Sequence, residues 1–269
     1  MNLIWGQGMV TNFINLIDHF FEPERFYNDM KCFEDNFEIV KAYDVSDTGA
    51  LIKNLDLEEE AYKIRYNAYC KEHNFENIDP SGQEKDSYDQ YAYMALIRHR
   101  PSGSYVGTVR MIVQNEDNDQ LPTVASCQEK IPNISNNTNR YVEISRLCLS
   151  YERLRDAGID RKESILIMPA IIKASLDVSE DLKASHWVGC MEPILIKTLQ
   201  RFYNIGLDWV GQEFDHHGKR RPFVTDVKTI LNTVHEKHTI LRDIVDYIHC
   251  ELPFNIIPSL TVPHRHMQA

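Results

Sequence analysis

The chain has 269 residues, of which 43% are hydrophobic and 26% charged, with a formal net charge of −11 at pH 7. A chain of that length can bury a substantial core, and its acidic balance argues against general affinity for nucleic acid or anionic lipid. No apolar run in the sequence approaches the ~20 residues a membrane-spanning helix needs.

The first ten residues have no basic flank and read poorly as a signal peptide. The six cysteines (Cys32, Cys70, Cys127, Cys148, Cys190, Cys250) include no C-x-x-C pair. Their scatter points to reduced thiols in a cytoplasmic protein, and no metal site is expected from them. Residues 10–33 read as an amphipathic helix, broken near Glu22-Pro23, with Phe13, Ile14, Ile17, Phe20 and Phe21 on one face. Its polar face is acidic, which favours packing on the domain; peripheral membrane contact through this helix or through a lipidic product stays open. Residues 37–44 (FEIVKAYD) alternate as a first strand does.

A helix is expected over residues 57–72, capped by Asn54 or Asp56, with Ala61, Ile64, Ala68 and Tyr69 buried and Arg65 in the same arc. An arginine there snorkels or points into a cleft as an anion clamp. The loop over residues 73–88 follows, with Phe75, Glu84 and Asp86, and Asp89 lies just beyond it. Runs 91–98 and 104–113 flank Pro101-Ser102-Gly103 and predict a β-hairpin. Arg110 interrupts the second run, and a charge among apolar neighbours wants a carboxylate, for which the acidic loop is a candidate supplier.

Residues 116–139 are polar and turn-rich and lead as an excursion into Tyr141-Val142-Glu143-Ile144-Ser145-Arg146-Leu147-Cys148-Leu149-Ser150. That stretch reads as a buried central strand carrying two charges, Glu143 and Arg146. Residues three apart in a regular strand face opposite ways, so one shared site requires a bulge between them. The alternatives are an internal ion pair or an edge strand with solvated charges. Helices are expected over 151–157, ending near Gly158, and over 165–178; residues 187–191 form a short strand that Glu192-Pro193 ends. A helix capped by Gly206 follows, then a strand over 207–215, a turn near His217-Gly218-Lys219, and a pairing strand over 222–227. Residues 229–250 predict one last helix. His216-His217 would face opposite ways, and His264 and His266 lack further ligands, so none of them is expected to hold a metal.

Four segments, Arg65-Tyr66-Asn67-Ala68-Tyr69-Cys70, Glu84-Lys85-Asp86-Ser87-Tyr88-Asp89, Val106-Gly107-Thr108-Val109-Arg110 and Glu143-Ile144-Ser145-Arg146, stand in the order seen in acyl-homoserine-lactone synthases. With Gly211 to Pro222, the chain more closely resembles the related N-acyl amino acid synthases, including the acyltransferases of exosortase/PEP-CTERM systems. The resemblance spans about Phe37 to Pro222. It implies a GNAT-type α/β fold: a mixed, mostly antiparallel sheet with splayed central strands flanked by helices, and a thioester-linked acyl chain lying in the splay. The implied layout is a helical extension over 1–36, the acyltransferase domain over 37–228, and a C-terminal helix and tail over 229–269. One departure bears on the donor. Where ordinary GNAT enzymes carry a glycine-rich loop for the coenzyme A pyrophosphate, this chain has Ser150-Tyr151-Glu152-Arg153-Leu154-Arg155, a poorer anion nest.

The implied activity is N-acyl transfer from an acyl-phosphopantetheine thioester, on acyl carrier protein or coenzyme A, to an amino acid, with no permanently bound cofactor. Amine attack needs a neutral amine, an oxyanion donor and an orienting cleft. Glu143 is the candidate base, with Arg146 and Ser145 beside it, and backbone amides of residues 145–147 are candidate oxyanion donors. Arg65, Tyr69, Phe75, Asp86, Asp89 and Arg110 are expected to shape the acceptor side, the arginines pairing with Asp86 and Asp89. Lys219, Arg220 and Arg221 form the best local docking patch for an acidic carrier. The competing readings are an acyl-homoserine-lactone synthase using S-adenosylmethionine, and a non-catalytic regulator that binds acyl carrier or lipid.

Overall fold

The computed structural model of the protein describes residues 2–3, 33–114, 121–127, 140–215, 218–237 and 239–249. All but the end of the expected N-terminal helix lies outside the described residues, as do His216, His217, His264 and His266.

Ten strands occur among the described residues: β1 (Asn2–Leu3), β2 (Phe37–Lys41), β3 (Tyr43–Val45), β4 (Leu51–Lys53), β5 (Ala92–His99), β6 (Tyr105–Val113), β7 (Tyr141–Leu149), β8 (His186–Met191), β9 (Phe214–Asp215) and β10 (Lys219–Asp226). The main sheet runs β2-β5-β6-β7-β8-β10-β9, with β1 joined to β8, while β3 and β4 pair separately. All neighbours are antiparallel except β7–β8 and β1–β8, which are parallel.

The helices are α1 (Leu55–Tyr66), α2 (Pro122–Ser126), α3 (Tyr151–Asp156), α4 (Arg161–Ser164), α5 (Ile167–Asp181), α6 (Pro193–Tyr203), α7 (Val227–Glu236) and α8 (Ile240–His249). Asn54 caps α1, its side-chain oxygen accepting from the Leu57 amide at 3.2 Å. Beyond Tyr66 the helix widens into a π-helical turn, Asn67–Glu72, a local irregularity common at functional sites. On one face of the sheet α5 buries Ile167, Ala170, Ile171 and Ala174 against Val109, Met111, Val142 and Ile144. On the other, Ala61, Ile64, Ala68 and Tyr69 pack on Met94, Leu96 and Cys148. Among the described residues no helix is long and apolar enough to cross a membrane.

Three expectations need correction. Residues 207–215 form no continuous strand: Trp209 makes a single bridge to Phe223, Phe214 and Asp215 pair with Arg220 and Lys219, and β10 pairs with β8 from Arg221 to Asp226. The helix over 193–203 is capped by Asn204 in the left-handed conformation, not by Gly206. The last helix is two, α7 and α8, separated around Lys237.

Two features of β7 position the site. The β6–β7 register pairs Arg110 with Ser145 and Thr108 with Cys148, so β7 spends one residue more than β6 between those pairs. That bulge falls at Arg146-Leu147, and Arg146 adopts φ +49°, a conformation costing a non-glycine residue about 1–2 kcal/mol. Parallel pairing with β8 then ends at Glu143–Val188, where the two central strands part. Since β10 holds one edge of β8 from His186 to Met191, Asn2–Leu3, paired with Cys190 and Met191, takes the edge that β7 has left. Gly189 lies beside this opening: a Cβ there would come within 2.9 Å of the Ile144 carbonyl and the Phe223 ring.

Candidate active site

The bulge places Glu143, Ser145, Arg146 and Cys148 on the α1 face of the sheet, with Ile144, Leu147 and Leu149 in the α5-side core. The two charges of the central strand therefore share one face. They are not partners of each other.

Arg146 is 3% exposed. It donates to Glu84 through Nη2 at 2.8 Å and Nε at 3.2 Å, and reaches Asp86 at 3.3 Å. Its guanidinium lies over the Tyr69 ring, 5.2 Å from the centroid. Arg65, projected from α1, donates through Nε to Glu84 at 2.5 Å and grips Asp89 with two nitrogens at 2.7 and 3.1 Å. Arg110, from β6, donates to Ser145 Oγ at 3.1 Å and to Asp86 and Asp89 at 2.8 Å each. Three buried guanidiniums thus meet three carboxylates, which is how charge becomes tolerable inside a protein. Burial alone would raise the carboxyl of Glu84, but Arg65 and Arg146 outweigh it and hold it at about 2. Arg65 and Arg110 likewise overcome burial to keep Asp89 well below the usual carboxylate range.

Glu143 lies in a different setting. It is completely buried, and one carboxylate oxygen accepts from the Thr123 amide of α2 at 2.7 Å. The other oxygen, Oε1, has no hydrogen-bond partner, nor has the buried Thr123 hydroxyl. Burial pushes the Glu143 carboxyl above its ordinary value, opposed by the Thr123 amide and Arg110. An elevated carboxylate with a vacant lone pair is the kind of group that accepts a proton. Arg146 also keeps one buried nitrogen, Nη1, without a partner.

The expected residues are thus brought together with one exception. Phe75, stacked on His73 at 5.4 Å, packs against the cluster that holds Tyr69 and Cys148. The proposed docking triad breaks up. Arg220 is fully buried and paired with Glu192 at 2.5 Å, and Arg221 lies over the Trp209 ring at 4.7 Å, so Lys219 is the exposed cation of the three. A strand pointing alternate residues to opposite faces cannot present all three outward. Glu84, which bridges Arg65 and Arg146, and Thr123, which orients Glu143, were not expected in the site. Glu84 carried a signal, since it opens one of the recognised segments. Thr123 carried none, because nothing local ties the excursion to the strand.

On the α5 side of the opening, Ile144, Leu147, Met168, Ile172, Trp187 and Leu195 line part of a closed apolar cavity of about 20 Å³, room for about one water.

Residues 64–161 match the model of the GNAT acetyltransferase domain. No curated protein matches the chain. Among solved structures, the CoA-dependent acyl-homoserine lactone synthase MesI superposes with a TM-score of 0.51 at 17% identity, covering 71% of this chain and 89% of its own. The acyl-homoserine lactone synthase LasI gives 0.51 at 15% identity over 74% and 95%. BjaI, a CoA-dependent acyl-homoserine lactone synthase solved with SAM and isopentyl-CoA, gives 0.50 at 15% identity over 74% and 88%. The fold is that of the GNAT acyltransferases, with the match centred on the residues that build the ion-pair network and β7.

Proposed function

We propose that the protein is an N-acyltransferase that moves a fatty acyl group from a pantetheine thioester to the α-amine of an amino acid. The observation that carries this reading is the pair of vacant positions on one face of β7: Glu143 Oε1, an acceptor, and Arg146 Nη1, a donor, both buried and unpartnered. An α-amino acid brings an ammonium for the first and a carboxylate for the second, and leaving either vacant costs about 1–3 kcal/mol. Glu143 takes a proton from the incoming ammonium, so that the neutral amine attacks the thioester carbonyl; the C–N bond forms, the C–S bond breaks, and the thiol leaves. Pairing of β7 with β8 stops at Glu143, so residues 145–147 border the opening, and on this reading their backbone amides hold the developing oxyanion.

The acyl chain enters the apolar cavity only as side chains such as Leu195 and Leu199 give way, because the closed space is too small for it. On this reading Asn2–Leu3 and the donor's arm compete for the edge of β8 that β7 leaves. Acyl carrier protein is the proposed donor, in a protein of the cytoplasm. MesI and BjaI are described as CoA-dependent, so both donors belong in the assay. S-adenosylmethionine is itself an α-amino acid and would satisfy the same two groups. Extracts of cells expressing the protein separate the outcomes: N-acyl amino acids are expected, acyl-homoserine lactones would replace the acceptor, and no new product would refute acyl transfer.

A further inference from the structure

We propose that the Thr123 hydroxyl is a second hold on the acceptor amine beside Glu143, and that it restricts the transferase to primary α-amines. This assignment rests on the proposed acyl transfer and names the class of amine that the site takes.

Thr123 is completely buried. Its amide donates to Glu143 Oε2 at 2.7 Å, and its carbonyl accepts from the Cys127 amide at 2.9 Å. The hydroxyl remains, and Oγ1 has no partner. Buried hydroxyls elsewhere in the fold are satisfied. Thr108 donates to the Ala95 carbonyl at 2.9 Å, and Ser175 donates to the Ile171 carbonyl at 2.8 Å, the usual bond of such a group inside a helix. A buried hydroxyl left bare is uncommon and costs stability.

Neighbouring residues fix where Thr123 stands. Leu121 is buried with Ile112, Tyr141 and Val188, and Val188 is the β8 residue that pairs with Glu143. Thr123 is therefore held at the last rung that β7 and β8 share before they part. Since its amide grips Oε2, its hydroxyl lies beside the carboxylate whose Oε1 is also unpartnered. Consistent with that closeness, Thr123 lowers the Glu143 carboxyl through both its amide and its side chain, against the larger raising effect of burial. Two buried oxygens, one acidic and one neutral, thus stand side by side as acceptors.

An ammonium is a pure donor and suits such a pair. A primary ammonium has three hydrogens, and the proposed reaction gives each a destination. One passes to Glu143 Oε1 as the amine becomes a nucleophile. A second leaves the nitrogen for the departing thiolate, once the C–N bond has formed and the C–S bond breaks. The third stays in the amide product, and Thr123 Oγ1 holds it throughout. A secondary ammonium has only two hydrogens, and the reaction consumes both. Its tertiary amide offers nothing to Thr123, and the buried oxygen is left bare.

The test measures kcat/KM for L-alanine, L-leucine and L-tyrosine, each against its N-methyl form, in wild type, Thr123→Val and Thr123→Ser. Valine keeps the shape without the hydroxyl, and serine keeps the hydroxyl. Wild type should prefer the primary amine by at least about tenfold, the worth of one buried hydrogen bond. Thr123→Val should lower that preference about tenfold, and Thr123→Ser should retain it. Thr123→Val should also hold or raise Tm, because it removes a buried polar atom that has no partner. A hydroxyl with a purely structural role would instead lower Tm and leave the preference alone. A wild-type preference near unity, a preference that survives in Thr123→Val, or one that Thr123→Ser also loses would each overturn the proposal. Calorimetric titration of the same three amino acids without donor reads the residue apart from turnover. Thr123→Val should bind them about tenfold more weakly than wild type and Thr123→Ser, and equal affinity in all three proteins would overturn the hold on the amine. Absence of transfer to every amine would refute the proposed reaction, while the titration still judges Thr123.

Discussion

Replacing Glu143 by Gln separates chemistry from architecture. The carboxylate is completely buried, has one hydrogen bond, from the Thr123 amide at 2.7 Å, and leaves Oε1 unpartnered. Arg146 is committed to Glu84 and Asp86, so the substitution strands no guanidinium. A Gln carbonyl can keep the Thr123 bond, and the cost of burying an ionised group disappears. Thermal stability should therefore hold or rise. The rate should not. General-base assistance contributes about 10²–10⁴-fold, or roughly 3–5 kcal/mol of barrier, and the variant's single-turnover rate should fall within that range. Burial holds the Glu143 carboxyl above its ordinary value, so the wild-type rate should climb with pH as this group ionises and then level. The variant's rate should keep rising as the acceptor amine loses its proton unaided, narrowing the gap. Melting temperature and single-turnover rate, measured on one preparation across pH, check all of this. A variant of wild-type stability whose rate stays within about threefold would refute the assignment of Glu143 as base, since it falls short of the 10²-fold minimum.

Glu84→Gln should be the reverse case: it removes the charge between Arg65 and Arg146, and an uncompensated buried pair costs about 3–5 kcal/mol, so a urea midpoint close to wild type would contradict the network's structural role. The folded state holds Glu84 at about 2, below its unfolded value. That stability is complete above about pH 5 and is lost as pH falls toward 2, with Glu143 acting in the opposite sense. Denaturant midpoints should drop over this window in wild type and less steeply in Glu84→Gln; a flat profile would sink the argument. Gly189→Ala places a methyl 2.9 Å from the Ile144 carbonyl and the Phe223 ring. It should cost about 1–3 kcal/mol, and an unchanged melt would show that the opening relaxes freely.

The element order, the hairpin and the buried central strand were legible in the chain because their apolar periodicities are local. The charges inside apolar runs were legible too: Arg110 among β6 neighbours needed a carboxylate, and the acidic loop supplies Asp86 and Asp89. Even the bulge followed from requiring Glu143 and Arg146 to share a face, although its place at Arg146 appears only in the register. What local pattern could not reach is the closure of distant segments. Thr123 meets Glu143 across 20 residues, and Glu72 meets Ser150 across 78. The same limit explains Arg220, whose burial against Glu192 depends on β10 pairing with β8 and not on the basic run around it. A side chain's type states what partner it needs; which partner arrives is decided by how the sheet and its crossings bring separate stretches of backbone together.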